Sequence, residues 1–337
     1  MPGPSESEAV PVLVTGAGGF IGGHLVAALL ARGRDVRAVD IRPTEAWQQS
    51  FAAAQNVQLD LSRAENCVAA ADGVGEILHL AADMGGVGFL GSHRADCMVS
   101  TLIDTQLLIA ARDAGVRRFF FASSACVYPL AAQATVDAPP LVEGDAYPAD
   151  PEDGYGWAKL FSERMCRHFR EDHGLETRVA RYHNIYGPRG AWSGGREKAP
   201  AAICRKVARA ALTGAREIEL WGDGHQARTF TFIDDCVEGT RLVADGAFPD
   251  PVNIGSAERV TIDELVTIVE ELAGVGPLER RYLTDAPQGV RGRSSDNTLV
   301  KQRYGWEPTT RLRDGLAQTY PWVHAQVEAE LRAARPA

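Results

Sequence analysis

No CxxC pair occurs among the six cysteines, which stand at positions 67, 97, 126, 166, 204 and 236. That scattering excludes the spacing of a structural zinc site and the framework of a small disulfide-rich fold, so no metal site is expected. Free thiols in a reducing compartment fit it better, and a cytoplasmic location is expected. An excess of basic residues is also missing: 35 Lys and Arg face 44 Asp and Glu, for a formal net charge of −9. A general binder of phosphate backbones needs the opposite balance, so nucleic acid is not expected as a partner. No run approaches the roughly 20 apolar residues of a membrane span. The opening residues do not read as a secretory leader; residues 1–9 are small and polar and read as a disordered tail. No internal repeat with a period of about 20 to 50 residues is visible. What is present is 337 residues with 45% hydrophobic content, enough for two domain-sized units or one large α/β domain with an appended lobe.

Short apolar runs alternate with helical spacing through the first half. Residues 10–15, 35–40, 57–59, 77–80 and 118–122 read as strands, 20–31 and 96–114 as helices. The later pattern gives a helix at 155–174 and strands at 177–181, 217–221, 229–233 and 252–254, followed by helices at 262–273 and 312–334. Such alternation indicates a Rossmann-type, doubly wound parallel sheet. The expected division is a dinucleotide-binding domain with the catalytic residues at 10–186. Residues 187–337 then form mostly a smaller substrate-binding lobe, interleaved with returning strands of the first domain. Residues 129–153, rich in Pro, Ala, Asp and Glu, and 187–200, rich in glycine, read as long loops of the kind that carry function.

The turn Gly16-Ala17-Gly18-Gly19-Phe20-Ile21-Gly22 follows a strand directly and opens a helix. Glycines there permit a tight turn and close approach of backbone to a pyrophosphate, and the helix N-terminus adds N–H donors and a positive dipole. Asp40 ends the second strand, where a carboxylate can accept from both ribose hydroxyls and repels a 2′-phosphate, which favours NAD over NADP. Arg42 argues the other way, since an arginine can accommodate that phosphate. Asp60-Leu61 after the third strand suits the adenine rim, and Leu80-Ala81-Ala82 after the fourth suits close backbone approach.

Tyr155 and Lys159 stand four apart on a helix, so they share one face. An ammonium near a phenol favours phenolate, and the lowered tyrosine can take the proton of an alcohol as hydride leaves to NAD. Ser123 and Ser124, ending the preceding strand, can supply the hydroxyl that orients the substrate oxygen.

With these residues in this order, the chain resembles the extended short-chain dehydrogenase/reductases that act on nucleotide sugars, from about residue 10 to about residue 320. The segments 81–86 (AADMGG), 123–129 (SSACVYP), 183–188 (HNIYGP) and 194–200 (GGREKAP) resemble, within that superfamily, those of the NAD-dependent GDP-mannose 3,5-epimerases. The resemblance implies an isomerase that oxidises the sugar C4 hydroxyl transiently, so that the hydrogens on C3 and C5, α to the new ketone, become removable. It implies Cys126 and Lys198 as the acid–base pair on opposite faces of the ring, and a tightly held NAD that is recycled. It also implies that Met84, Gly85 and Gly86 line the sugar pocket, that Asn184 and Glu197 contact the sugar or its diphosphate, and that Lys206 and Gln226 lie toward the nucleotide. Arg228, with Arg291 and Arg293, suits a diphosphate because a guanidinium offers two parallel donors; spacing does not choose between Arg291 and Arg293. A homodimer through the long helices is the arrangement expected of the superfamily.

Ser100 departs from the family pattern, falling where an asparagine usually supports the lysine. His183 reads as a structural hydrogen-bonder. Among rivals, a GDP-4-keto-6-deoxymannose epimerase/reductase would consume NADPH, which Asp40 and the 194–198 segment argue against. A 4,6-dehydratase would want an acidic pair where Ala125-Cys126 stands, and a simple 4-epimerase would not need Cys126 with Lys198. A GDP-heptose epimerase shares the same reading of the pocket. A non-catalytic nucleotide sensor would not need Ser124, Tyr155 and Lys159 together.

Overall fold

Val12–Thr15 (β1) is a short β-branched run that feeds, through the glycine turn, into α1 (Phe20–Leu30). A computed structural model describes residues 10–334 of the chain; the expected tail at 1–9 lies outside the described residues. The alternation continues with β2 (Val36–Asp40), β3 (Gln55–Gln58), α2 (Ala64–Ala71), β4 (Glu76–His79), α3 (Val87–Ser92), α4 (Arg94–Asp113), β5 (Arg118–Ser124), α5 (Asp153–His173) and β6 (Glu176–Tyr182). Beyond β6 come β7 (Ile185–Tyr186), α6 (Ala199–Thr213), β8 (Glu217–Trp221), β9 (Ala227–Thr229), β10 (Thr231–Phe232), α7 (Ile233–Asp245) and β11 (Val252–Ile254). The chain ends in β12 (Arg259–Thr261), α8 (Ile262–Ala273), β13 (Glu279–Leu283), β14 (Gly292–Arg293), α9 (Thr298–Tyr304) and α10 (Leu312–Ala333).

The main sheet has seven strands in the order β3-β2-β1-β4-β5-β6-β11, all parallel. The order reverses between β1 and β4, and ligands of such sheets bind in the crevice outside the strand ends at that switch point. Both faces are covered at the centre of the sheet, which explains why β1 reads as a continuous apolar run, whereas the edge strand β3 (QNVQ) is polar and part-exposed. The three successive phenylalanines of β5 divide accordingly. Phe120 packs with Val12, Val14 and Ala38 on one face, Phe119 and Phe121 with Leu13, Val39 and Ile77 on the other. Burial of each ring is worth about 1.5–3 kcal/mol.

The expected strand at 229–233 is two short strands, β9 and β10, because Phe230 turns into the core between them. β9 pairs with β12 and β14, while β8 pairs with β13, so both lie outside the main sheet. The helix α6 was not foreseen; Pro200 sits in its first turn, where a missing N–H costs nothing. At α8, Thr261 Oγ1 accepts from Glu264 N at 3.1 Å while the Glu264 carboxylate accepts from Thr261 N at 2.7 Å, a reciprocal cap worth about 1 kcal/mol.

Two buried arrangements fix the helix that carries Tyr155. Arg181 of β6 donates to both carboxylate oxygens of Glu163 on α5 at 2.9 and 2.7 Å, and Ser123 Oγ donates to the same carboxylate at 2.6 Å. Removing one partner of such a buried pair costs about 3–5 kcal/mol. The second arrangement begins at Thr15, whose Oγ1 accepts from Leu80 N and Ala81 N at 3.1 and 3.2 Å. Its own hydrogen therefore goes to His79 Nδ1 at 2.7 Å, the ring proton lies on Nε2, and it is donated to Asp104 Oδ1 at 2.7 Å. Asp104 Oδ2 accepts from Ser162 Oγ of α5 at 2.6 Å.

Candidate active site

The nucleotide end is built from backbone. Gly16 has φ +68°, and a Cβ there would come within 3.0 Å of Ala81 N and Leu80 C. A Cβ on Gly22 would overlap the Gly16 carbonyl oxygen. The turn thus admits no side chain at either place, and the space left above it is a backbone cradle of the kind that receives a pyrophosphate. Phe20 and Ile21 pack partly buried at the start of α1. Gly19 gives its N–H to the Gly16 carbonyl at 3.0 Å and closes the turn.

Asp40 is buried at the end of β2. Arg42 folds back onto it: its backbone N–H and Nε donate to Asp40 Oδ1 at 3.0 and 3.1 Å. The guanidinium that argued for a 2′-phosphate is therefore tied to the carboxylate that argues against one. Asp60 Oδ1 accepts from Ser62 N at 3.0 Å and from Ser62 Oγ at 2.7 Å. The Ser62 hydroxyl, more than its N–H, holds this carboxyl below its ordinary range. Leu61 turns its side chain into the core, which leaves only its backbone to face a nucleotide. With the glycine turn, Asp40, and Ala81 at the end of β4, the residues present fit a dinucleotide.

The end expected to be catalytic is built from side chains drawn from distant segments. Cys126, Tyr155, Phe89 and Cys97 form one buried cluster, with Met84 and Leu90 packed against it. Ser124 Oγ accepts from Cys126 N at 3.2 Å. Lys159 is buried, its Nζ 4.5 Å from the Phe121 ring centroid and 5.8 Å from that of Tyr155. The expected lowering of the tyrosine pKa does not hold in the protein alone. Burial pushes the Tyr155 phenol up, Cys126 adds to that, and Ser124 opposes it. Burial also lowers Lys159, with Asp104 the foremost group holding its charge. Ser100, in the place of the usual asparagine, accepts from Asp83 N at 3.1 Å.

Burial alone says little about Cys126, because all six cysteines are buried. Its neighbours distinguish it. Arg293 Nη1 lies 3.8 Å from its Sγ and Arg293 Nη2 donates to Glu152 Oε2 at 2.6 Å. Burial and then the Glu152 charge raise the thiol, while Arg293 lowers it. Lys198 is the residue just before α6. Burial lowers its amine, and the largest opposing influence is Cys126, a residue far away in sequence.

The 194–198 segment is docked on residues 83–89. Arg196 donates to Asp83 Oδ1 at 2.6 Å and to the Met84 carbonyl at 3.0 Å, and its guanidinium lies 3.8 Å from the Phe89 ring centroid. Gly86 donates to the Arg196 carbonyl at 3.1 Å, and a Cβ there would stand 2.5 Å from the Glu197 oxygen. A Cβ on Gly85 would meet the Phe89 side chain. Glu197 accepts from Arg205 Nη2 at 2.8 Å and from Gly195 N at 2.7 Å.

Other expected substrate residues lie further out. Asn184, with φ +45°, donates to the Thr229 carbonyl at 3.0 Å. Lys206 Nζ donates to the Glu219 carbonyl at 2.6 Å. Gln226 donates to the Trp221 carbonyl at 3.2 Å, and its buried Oε1 has no donor. Arg228 is lowered to about 9, by burial first and then by Arg293. Arg291 donates to Asp223 at 3.0 Å, away from Cys126, so the two arginines that spacing did not separate have different surroundings. His183 is held neutral, lowered to about 3 by burial. Sequence reasoning missed Glu152 and Arg196. The first stands outside every quoted motif; the second stands inside one, with its partners Asp83 and Met84 inside another.

Residues 12–255 match the NAD dependent epimerase/dehydratase family. Over 329 residues the chain is 46% identical to GDP-mannose 3,5-epimerase 1 of Oryza sativa subsp. japonica, covering 96% of this chain and 84% of that one. It is 44% identical over 329 residues to GDP-mannose 3,5-epimerase of Arabidopsis thaliana, covering 96% and 85%. Among solved structures, MoeE5 in complex with UDP-glucuronic acid and NAD matches with a TM-score of 0.79 at 31% identity, over 94% of this chain and 99% of that one.

Proposed function

The chain belongs to the NAD dependent epimerase/dehydratase family, NAD is its cofactor, and from that premise we propose that it is a GDP-mannose 3,5-epimerase. NAD, when bound, supplies the two-electron acceptor that makes the sugar C4 alcohol a ketone and then restores it, so it is retained and recycled. The glycine turn at 16–22, Asp40, Asp60, Leu61, Ala81, Tyr155 and Lys159 hold it. Ser124 Oγ orients the C4 oxygen, Tyr155 Oη takes and returns its proton, and the Lys159 ammonium stabilises the phenolate. Cys126 and Lys198 move protons on opposite faces of the ring at C5 and C3, where the neighbouring carbonyl has made the C–H acidic.

What supports this reading is that Cys126 clusters with Tyr155 and that Cys126 is the foremost group opposing the effect of burial on the Lys198 amine. A reductase or 4-epimerase has no use for that pair, whereas a double epimerisation requires it. Met84, Gly85 and Gly86, pinned under Arg196, form one wall of the sugar pocket, with Asn184 and Glu197 on its rim. Toward the nucleotide, the unpartnered Gln226 Oε1 suits a guanine N–H, and Lys206, Arg228 and Arg291 suit the diphosphate. Arg293 is engaged at Cys126 and belongs to the sugar end.

A homodimer through α4 and α5 is part of the proposal. Met98, Val99 and Leu102 on α4 and Trp157 and Phe161 on α5 are exposed large hydrophobics, and α4 packs against α5, so a second copy can cover both helices at once. Six buried free thiols support a cytoplasmic setting. No helix of the described residues is long and apolar enough to cross a membrane.

The test is incubation of GDP-mannose with the purified protein in deuterated buffer without added cofactor. Proton NMR and mass spectrometry should find deuterium at C3 and C5, new sugar signals and no accumulating NADH. Absence of exchange from a folded, NAD-loaded sample refutes the GDP-mannose assignment and turns the search to GDP-heptoses.

A further inference from the structure

The acid–base scheme leaves one carboxylate at its centre unused. Glu152 stands immediately before α5 and donates its backbone N–H to the Cys126 carbonyl at 2.9 Å. Its side chain is only 20% exposed and is bound by Arg293 at 2.6 Å. Arg293 is itself fixed, because Nε donates to Gln133 Oε1. From that anchored guanidinium, one nitrogen holds Glu152 and the other faces Cys126 Sγ at 3.8 Å. Carboxylate and sulfur are thus brought to the two terminal nitrogens of one guanidinium.

We propose that Glu152 is a positioning residue for Cys126, accepting the thiol S–H and exchanging that proton with the sulfur, with Arg293 stabilising whichever partner carries the charge. The proposal rests on the acid–base role of Cys126 given above. The step balances within the pair: S–H beside a carboxylate becomes a thiolate beside a carboxylic acid, with no other reactant. The thiolate can then take a C–H proton from the sugar, and the thiol so formed can give one back. A buried thiol has poor access to solvent as a proton acceptor, and Glu152 supplies a local one.

The remaining titratable and charged groups that face the sulfur are Tyr155 and Cys97 from α5 and α4, Lys198 from the start of α6 and Arg293 from β14; Arg228 of β9 faces Glu152. Arg293 holds Glu152 below its ordinary range against the cost of burial, so the resting pair is thiol and carboxylate. Removing that negative charge must make the thiol easier to ionise.

The experiment uses the NAD-containing full chain without sugar and follows modification of Cys126 by methyl methanethiosulfonate against pH, resolved by mass spectrometry. Glu152→Gln keeps an oxygen for Arg293 and the same shape, so the fold is retained. Its Cys126 midpoint should fall by about one pH unit, a tenfold faster reaction below the midpoint, while Arg293→Met should move it upward. Opposite shifts from two partners are not the signature of a structural role. Deuterium exchange into GDP-mannose by Glu152→Gln should fall about 100-fold with NAD content unchanged, and Glu152→Asp should restore part of it. An unmoved Cys126 midpoint in Glu152→Gln overturns the proposal. A moved midpoint in a protein whose wild type exchanges nothing supports the Glu152–Cys126 coupling and refutes the GDP-mannose reading instead.

Discussion

The two ends of the site are made differently. At the nucleotide end the fit comes from backbone: a turn too tight for a Cβ at Gly16 or Gly22, strand ends, and one carboxylate at Asp40. At the proposed sugar end it comes from side chains contributed by segments around 84, 126, 152, 198 and 293, each positioned by partners elsewhere in the sequence. A backbone site is specified by short consecutive stretches and tolerates variation around it. A side-chain site needs several remote segments to be right together.

Three experiments act on that contrast. The largest effect is expected from Cys126→Ala or Lys198→Met, each of which should lower deuterium exchange at C5 by about 10²–10⁴-fold while the purified protein keeps its NAD. Loss of NAD in these variants would mean that the two ends are not separable. Next comes Gly22→Val, which forces a side chain against the Gly16 carbonyl. It should cost about 1–3 kcal/mol in denaturant unfolding and abolish NAD retention, measured by absorbance of the denatured supernatant; retained NAD would break the account of the turn.

The smallest effect is on stability against pH. Burial lowers the Lys198 amine in the folded chain from its ordinary value of 10.5. Between the folded value and 10.5 the unfolded chain binds a proton that the folded chain does not, so stability rises with pH across that window. Lys198→Met should remove this rise and increase thermal stability at neutral pH, read from melting curves over a pH series. A lower melting temperature would mean that the lysine stabilises the loop it ends.

Legibility in sequence follows the same division. The glycine turn, Asp40 and the Tyr155–Lys159 spacing were readable because each is local. So were the strands of the main sheet, within about two residues of their ends; for β1, buried on both faces, the reason is a continuous apolar run. Glu152 and Arg293 were not readable as a pair, because 141 residues separate them and only the fold brings β14 against the start of α5. The burial of Tyr155 was not readable for a related reason. Spacing places a lysine near a phenol, but the burial that raises the phenol depends on packing with Phe89 and Cys97 from other segments. The helix at Ala199–Thr213 went unseen because its first turn carries a proline and follows directly on a glycine-rich loop.

The hydrogen-bonded series Thr15, His79, Asp104, Ser162 runs from the floor of the glycine turn to the middle of α5 without using any residue of the long loops. It makes the redox half of the molecule a chassis: the cradle under the nucleotide and the helix bearing Tyr155 and Lys159 keep a common register whatever the loops do. Lys198 and the proposed sugar wall are fittings bolted to that chassis from outside. Changing the sugar chemistry of such a protein is therefore a matter of exchanging fittings, and the machinery that oxidises and restores C4 travels with the frame.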